Sequence, residues 1–165
     1  MSQKIITFAG VPGCGKTPVA SYLSWKLRLP TLNNDAMRSE VSEDLLYFSE
    51  VEYVRRRDTR ISELLGFGQD FIYDASVDRS WATFSPRLAA YGYEQFIISF
   101  DLSREYIENL YAAKGYRETF NLSRSYPEHE AFLAAYGDVV NTSIRDDIYS
   151  QRLELALTGA KIFIG

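Results

Sequence analysis

Eight residues near the start of the chain carry the clearest chemical pattern. Residues 10–17 read GVPGCGKT, which fits G-x-x-x-x-G-K-T, and they follow a short apolar run at residues 5–9. Glycines let backbone N–H groups curl around a phosphate without Cβ clashes, and the helix that follows directs its positive end at the same point. The pattern predicts a phosphate-binding loop between a strand and a helix.

This loop supplies the residues that we predict to bind a nucleotide. They are Gly10, Gly13, Cys14, Gly15, Lys16, Thr17 and Pro18. Lys16 is also a predicted catalytic residue, because its charge would bridge the β- and γ-phosphates, and Thr17 is a predicted Mg²⁺ ligand. A glycine-rich turn without a ligand is the alternative, but a strand pattern precedes the loop and apolar residues at helical spacing follow it. Pro18 lacks the N–H that often helps to hold the α-phosphate, so we expect a weakened grip on the nucleotide.

Cys14 is the only cysteine of the chain, which excludes an internal disulfide and any multi-cysteine metal site. Its place near a helix N-terminus and Lys16 would favour the thiolate, and oxidation would then block nucleotide binding. A small side chain at a position that the motif leaves open is the simpler interpretation, and we prefer it.

A second polar segment, residues 33–38 (NNDAMR), follows the second predicted strand. Asp35 and Arg38 are three residues apart and share one face of the predicted helix. We predict that Asp35 is the catalytic base for an attacking hydroxyl and that both residues bind the acceptor, with the planar guanidinium of Arg38 holding an anionic or hydroxylated group. An N-cap role for Asp35, on a helix beginning at Ala36, is the alternative. The phosphate-binding loop upstream favours the catalytic role.

Asp74 ends an apolar strand that begins at Phe71. This is the setting in which an aspartate holds Mg²⁺ directly or through water, so Asp74 joins Thr17 as a predicted metal ligand. A turn that begins at the end of the strand is the alternative. Ala75 follows where ATP-hydrolysing machines usually carry a glutamate that polarises water. Transfer to a bound acceptor is therefore favoured over hydrolysis.

The chain resembles the P-loop kinases of small molecules and nucleic-acid ends, over roughly residues 1–125. This group includes gluconate and shikimate kinases, chloramphenicol phosphotransferase, polynucleotide kinase and the zeta-toxin kinases. The resemblance rests on four segments, GVPGCGKT, DAMR, GFGQDFIYDAS and FIISFDLSREYIENL. It implies ATP and Mg²⁺ as cofactors, a base role for Asp35 and acceptor binding by Arg38.

The same kinases commonly place arginines on the helix after the fourth strand and in a lid. This sequence has Asn109, Leu110 and Tyr111 where one such arginine is expected. The substitutes are Lys114, Arg117 and Arg124, and each is equally compatible with a solvated surface charge. Residues 115–130 are the predicted lid, because weak periodicity and many polar residues up to Pro127 indicate a mobile loop.

Two further groups are assigned no chemistry. The arginines at positions 55–57 and Arg60 lie on a predicted helix near the acceptor side, where an exposed charged face is the expected role. His129 is the only histidine, and we expect an exposed loop residue with no metal cluster around it.

Strand and helix patterns alternate, which predicts an α/β fold with a parallel sheet. Strands are expected at residues 4–8, 30–33, 71–74, 95–100 and 161–164. Helices are expected at residues 17–28, 36–48, 51–65, 81–91, 104–114 and 146–157, the last closed by Gly159 as a C-cap. We therefore expect the three-layer P-loop NTPase fold, with a five-stranded, mainly parallel sheet flanked by helices and a lid segment.

The composition bounds the remaining possibilities. With 165 residues, 46% of them hydrophobic, the chain is expected to form one domain over residues 1–165 and to act as a monomer or homodimer. A net charge of −4 offers no general attraction for nucleic acid or an anionic membrane. No apolar stretch reaches the length of a membrane span, and the N-terminus leads directly into a strand, so a cytoplasmic location is expected.

The predicted function is transfer of the γ-phosphoryl group of ATP to an alcohol, either a small metabolite or a nucleoside-like compound. A carboxylate at position 35 favours an alcohol, because a phosphate acceptor already carries a nucleophilic oxygen. The alternatives are a polynucleotide 5′-hydroxyl kinase and a nucleotide-binding NTPase or regulatory module without an acceptor. A GTPase is disfavoured because the sequence lacks N-K-x-D.

Overall fold

The computed structural model describes residues 2–117 and 120–165. Five strands form one sheet in the order β2-β3-β1-β4-β5, and every neighbouring pair is parallel. The strands are β1 (Gln3–Ala9), β2 (Thr31–Asn33), β3 (Phe71–Ser76), β4 (Tyr93–Phe100) and β5 (Val140–Ile144). The predicted fold class, an α/β fold built on a parallel sheet flanked by helices, is confirmed.

Helices connect the strands and cover both faces of the sheet. The helices in the described ranges are α1 (Lys16–Leu27), α2 (Asn34–Leu45), α3 (Glu50–Gly66), α4 (Trp81–Ala90), α5 (Arg104–Ala113), α6 (Phe120–Tyr136) and α7 (Arg152–Ile164). Short 3₁₀ segments lie at Gly137–Val139 and Asp146–Gln151. None of these helices combines the length and the apolar character that crossing a bilayer requires.

The central strand β1 shows why three layers form. Consecutive side chains of a strand point to opposite faces, so a strand buried on both faces is apolar throughout. Ile6 and Phe8 pack with α1, α5 and α7, whereas Ile5 and Ala9 pack with α2, α3 and α4. Two apolar cores therefore hold the sheet between two helical layers.

The last predicted strand is wrong, and the last predicted helix begins as a 3₁₀ segment, becomes α-helical at Arg152 and extends to Ile164. Residues 161–164 end helix α7, and the fifth strand is Val140–Ile144, where three consecutive polar residues separate Val140 from Ile144 and only Ile144 is buried. Such a half-exposed edge strand lacks the continuous apolar run that marks the other strands. Gly159 lies inside α7 rather than at its C-cap, and a Cβ there would come within 2.7 Å of the Phe96 ring. This glycine allows α7 to pack closely on the sheet.

The predicted mobile loop at residues 115–127 is wrong over its second half. Helix α6 begins at Phe120 and contains Pro127 within it. The weak apolar periodicity arises because α6 contacts both cores, with Leu122 in the one that contains α1 and Phe132 in the other. Two residues of the predicted lid, Glu118 and Thr119, lie outside the described residues.

Candidate functional site

A cleft of about 540 Å³ opens at the carboxyl ends of the strands. The carboxyl edge of an open parallel sheet is where α/β proteins bind ligands. Most of the residues predicted to bind ligands line this cleft, namely Gly10, Gly13, Gly15, Lys16, Thr17, Pro18, Asp35, Arg38, Asp74 and Lys114. Residues that are far apart in the sequence thus meet at one site.

The loop between β1 and α1 has the conformation that its glycines permit. Gly10, Gly13 and Gly15 have φ angles of 138°, 76° and 104°, which side-chain-bearing residues rarely adopt. Lys16 opens α1, and its Nζ donates hydrogen bonds of 2.8 and 2.7 Å to the carbonyl oxygens of Gly10 and Val11. The ammonium group therefore lies within the curve of the loop.

Two tyrosines from outside the motif hold the loop from behind. The hydroxyl of Tyr111 on α5 donates a 2.7 Å hydrogen bond to the carbonyl oxygen of Pro12, and a Cβ at Gly13 would lie 2.4 Å from its ring. The hydroxyl of Tyr149 donates to the carbonyl oxygen of Cys14 at 3.0 Å. Tyr111 stands where the kinase resemblance led us to expect an arginine. Sequence patterns offered no indication that either tyrosine contacts the loop.

Cys14 is fully buried behind the loop and does not line the cleft. Burial raises the pKa of its thiol, and the nearby Lys16 charge only partly offsets that effect. The thiolate is therefore disfavoured, in agreement with the preferred interpretation of a small side chain at an open motif position. If Cys14 contacts the nucleotide as predicted, it does so through its backbone and not through its side chain.

Asp74 lies near the end of β3 and is largely buried. Its Oδ2 accepts a hydrogen bond from Asn33 Nδ2. Burial raises the pKa of the Asp74 carboxyl group, and hydrogen bonds from Thr17 and Asn33 oppose the rise. The Thr17 hydroxyl and the Asp74 carboxylate thus lie side by side, and hard oxygen donors of this kind suit Mg²⁺.

Asp35 and Arg38 lie together in the first turns of α2. The helix begins at Asn34 rather than Ala36, and Asn33 is its cap, because Asn33 Oδ1 accepts the Ala36 N–H at 2.8 Å. The alternative N-cap role of Asp35 is therefore wrong. The Asp35 side chain is 84% exposed, and its Oδ1 accepts a 2.8 Å hydrogen bond from Arg38.

The guanidinium group of Arg38 is further oriented by an aromatic ring. It stacks 4.4 Å from the ring centroid of Tyr53 on α3, an arrangement that favours a flat cation over an aromatic face. This contact and the Asp35 ion pair restrict the rotamers of Arg38. Arg38 is also one of the residues that line the cleft.

The three predicted lid cations differ in their position relative to the cleft. Lys114 follows α5, lines the cleft and donates a 2.6 Å hydrogen bond to the Gly13 carbonyl oxygen. Arg124 is exposed on α6 and pairs at 3.0 Å with Glu128, which lines the cleft, but Arg124 is not itself a lining residue. Arg117 is exposed and is not a lining residue either. Of the predicted lid cations, only Lys114 contacts the phosphate-binding loop.

The arginines of α3 mainly form ion pairs on the helix surface. Arg56 bonds to Glu40, Asp44 and Glu52, and Arg55 bonds to Glu52. Hydrogen bonds from these two arginines lower the pKa of the Glu52 carboxyl group to about 2. This network joins α2 to α3, and α2 carries the cleft-lining residues Asp35 and Arg38.

The expectation that His129 is an exposed loop residue is wrong. It lies on α6, its side chain is only 10% exposed, and its two ring nitrogens contact Asp78 and Asp101. Burial alone would lower the pKa of His129, but the hydrogen bonds and charges of both carboxylates outweigh burial and raise it to about 9. The error followed from missing α6. The available indication was that Asp78 and Asp101 follow β3 and β4, the two parallel strands that flank β1, and the carboxyl ends of these strands share one edge of the sheet.

Comparison with known proteins supports the fold but not a specific family. A gluconokinase from Sinorhizobium meliloti 1021 superposes with a TM-score of 0.68 at 17% identity, covering 97% of this chain and 93% of that one. A shikimate kinase from Bacteroides thetaiotaomicron gives a TM-score of 0.59 at 11% identity, over 99% of both chains. A Chloroflexus aurantiacus j-10-fl protein provisionally described as a kinase is 25% identical over 74% of each chain, with a TM-score of 0.54.

No protein-family model matches the sequence, and no curated protein matches it. The class of protein therefore rests on the fold and on the residues at the site. The chain has the P-loop kinase fold, as its sequence resemblance predicts.

Proposed function

We propose that this protein is an ATP-dependent phosphotransferase that moves the γ-phosphoryl group to an alcohol acceptor. One observation carries the proposal. A single cleft contains the phosphate-binding loop, the Thr17 and Asp74 oxygens, and the Asp35–Arg38 pair. A donor nucleotide and an acceptor would both need such groups in one cavity, and about 540 Å³ is within the usual size range of small-ligand sites.

The loop and Lys16 account for nucleotide binding. Backbone N–H groups of the loop and the N-terminus of α1 would hold the β-phosphate. The Lys16 ammonium would exchange its bonds to the Gly10 and Val11 carbonyl oxygens for bonds to phosphate oxygens. Because Lys16 is tethered at the start of α1, a small rotation of its side chain is sufficient. Lys114 adds a second positive charge at Gly13.

The Thr17 hydroxyl and the Asp74 carboxylate are the groups that would hold Mg²⁺. Mg²⁺ supplies charge neutralisation of the β- and γ-phosphates during transfer. Asn33 orients Asp74 through a hydrogen bond to one carboxylate oxygen. The partial burial of Asp74 would strengthen its interaction with a cation, since the local dielectric is low.

Asp35 and Arg38 account for the acceptor. The acceptor hydroxyl oxygen attacks the γ-phosphorus, the bond from that phosphorus to the bridging oxygen breaks, and ADP leaves. Asp35 takes the hydroxyl proton. Arg38 bonds only to Oδ1 of Asp35, so Oδ2 remains available to that proton. Arg38 holds the acceptor through its remaining N–H groups.

A screen for ADP release tests this function. Purified protein with Mg²⁺ and ATP is supplied separately with alcohol-bearing metabolites, nucleosides and 5′-hydroxyl oligonucleotides, and the Lys16→Ala variant serves as the inactive control. ADP formation that requires an alcohol supports the proposal. A response to oligonucleotides alone supports the polynucleotide kinase alternative. Nucleotide binding without ADP formation from any acceptor overturns the proposal and supports a regulatory module.

A further inference from the structure

Helix α6 crosses the carboxyl edge of the sheet and forms one wall of the cleft. Its first half contributes Leu122 to one apolar core, and its second half contributes Phe132 to the other. Ser125 and Glu128 on the same helix line the cleft. Any shift of α6 along this edge would therefore change the shape of the site.

His129 attaches α6 to the ends of two strands. Its Nδ1 lies 3.2 Å from Asp78 Oδ2, in the loop after β3, and its Nε2 lies 3.1 Å from Asp101 Oδ1, directly after β4. Each ring nitrogen faces a carboxylate oxygen, which can only accept a hydrogen bond. The geometry therefore requires a proton on both nitrogens, which is the positively charged imidazolium.

Asp78 also contacts the phosphate-binding loop. The oxygen that accepts from His129 accepts the Gly10 N–H as well, at 3.2 Å. The Asp78 side chain is only 7% exposed, and its other oxygen is buried with no partner among the described residues. The position of this carboxylate is therefore determined by Gly10 and His129 together.

We propose that Asp78, His129 and Asp101 form a charged clamp that positions α6 as a wall of the cleft and couples this helix to the first glycine of the phosphate-binding loop. The three residues are called the clamp below. This inference rests on nucleotide binding at the loop, as in the proposed function. His129 is a positioning residue, since it acts through Asp78 and does not line the cleft.

Electrostatics explain why the clamp contains a cation. Asp78 lies close enough to the loop for its charge to raise the pKa of the Cys14 thiol. An uncompensated carboxylate there would repel an incoming triphosphate and attract the Lys16 ammonium group. The imidazolium of His129 offsets one of the two negative charges of the clamp. Its loss would leave two partly buried carboxylates without a positively charged partner, which is strongly unfavourable.

Asp101 accepts hydrogen bonds from the hydroxyl groups of Ser99 and Ser143 as well as contacting His129. The other carboxylates near His129 form ion pairs with arginines. On α6 itself, Glu128 pairs with Arg79 and Arg124, and Glu130 pairs with Arg104. Asp78 and Asp101 are therefore the carboxylates that control the charge state of His129.

A titration of the unmodified protein tests the clamp first. Because His129 is the only histidine of the chain, ¹⁵N NMR of labelled imidazole reports on this residue alone. The clamp predicts titration near pH 9, and titration at the ordinary value of 6.5 would overturn it. A non-hydrolysable ATP analogue with Mg²⁺ should shift the ring signals of His129. Saturating analogue without any shift would overturn the coupling to the loop.

Variants test the positioning role. His129→Gln and Asp101→Asn should each weaken binding of the analogue on the order of tenfold, the usual scale for coupled sites. Both should speed amide hydrogen exchange along α6 even without nucleotide. Glu130→Gln is the matched control, because it removes an exposed ion pair of the same helix. The proposal fails if α6 exchanges at the same rate in His129→Gln as in Glu130→Gln. None of these measurements requires phosphotransfer. A failure to find an acceptor would remove the proposed function, whereas the clamp would still be tested by amide hydrogen exchange of α6 and by the NMR titration of His129.

Discussion

The Tyr111 hydroxyl donates a 2.7 Å hydrogen bond to the carbonyl oxygen of Pro12, which joins helix α5 to the outer turn of the phosphate-binding loop. An arginine at this point would add charge for the phosphates, whereas tyrosine adds a rigid support for the loop. Positive charge near Gly13 comes instead from Lys114, one turn further along. The chain therefore stabilises its loop by packing and neutral hydrogen bonds as much as by cations.

Lys16→Ala should abolish stabilisation of the protein by ATP, because the variant lacks the charge that would bridge the β- and γ-phosphates. A ligand that binds only the folded state raises the melting temperature. The measurement is thermal unfolding with and without Mg²⁺ and ATP, and the exposed Lys161→Ala on α7 is the control for loss of a lysine. An ATP-induced shift that survives in Lys16→Ala would contradict the nucleotide site.

Asp35→Asn should lower kcat by about a hundredfold or more, which is the usual scale for loss of a positioned base. The affinity for ATP should stay unchanged. Stability should change little, because Asn33 and not Asp35 caps α2. Steady-state kinetics with an identified acceptor and a separate ATP dissociation constant measure the two effects. Glu43→Gln, an exposed change on the same helix, is the control. Near-normal turnover in Asp35→Asn would remove the base assignment.

Gly13→Ala should destabilise the protein by roughly 1–3 kcal/mol and weaken nucleotide binding, because a positive φ is costly for alanine. The new Cβ would also lie 2.4 Å from the Tyr111 ring. Urea unfolding and a binding titration give the two values. Gly66→Ala at the end of α3 is the control, since a Cβ there meets no atom within 4 Å and alanine favours a helix. Equal stability of the two variants would contradict the support that Tyr111 gives to the loop.

The stability of the protein should fall as the pH rises from about 6.5 to about 9. The pKa of His129 is higher in the folded than in the unfolded state, so the folded state binds its proton more tightly. This contribution is complete below the unfolded value of 6.5 and is lost as the pH passes through 9. It amounts to about 3 kcal/mol from the linkage between pKa and stability.

Urea unfolding across this pH range measures the effect as a difference between the wild type and His129→Gln. The difference should shrink towards alkaline pH, because other titrating groups contribute equally to both proteins. A constant difference at every pH would show that the His129 charge does not stabilise the fold. Glu130→Gln should follow the wild-type pH dependence.

Local sequence was sufficient to locate the glycine-rich loop of the candidate site. Glycines, Lys16 and Thr17 are neighbours in the chain, so their spacing alone defines a loop between a strand and a helix. Continuous apolar runs likewise marked β1, β3 and β4, because strands buried on both faces need such runs. Asp35 and Asp74 were found because carboxylates after parallel strands share one edge of the sheet.

The amino-acid pattern did not predict β5 and α6, because the contacts that bury these two elements come from distant parts of the chain. Val140–Ile144 has three consecutive polar residues between two apolar ones, and its place in the sheet depends on pairing with β4. Helix α6 spreads its apolar contacts over two cores, so no single face of the helix carries a continuous stripe. Propensity and periodicity describe one segment at a time, whereas these two elements are stabilised by contacts with distant ones.

The sequence by itself therefore determined the fold class and the glycine-rich loop before α1, since both are encoded in short runs of adjacent residues. Only the tertiary structure decided that Asn33 caps α2, that Tyr111 supports the loop and that His129 is buried and charged. His129 is separated from Asp78 by 51 positions and from Asp101 by 28. Its charge state depends on an electrostatic environment that exists only after the sheet and α6 have packed together.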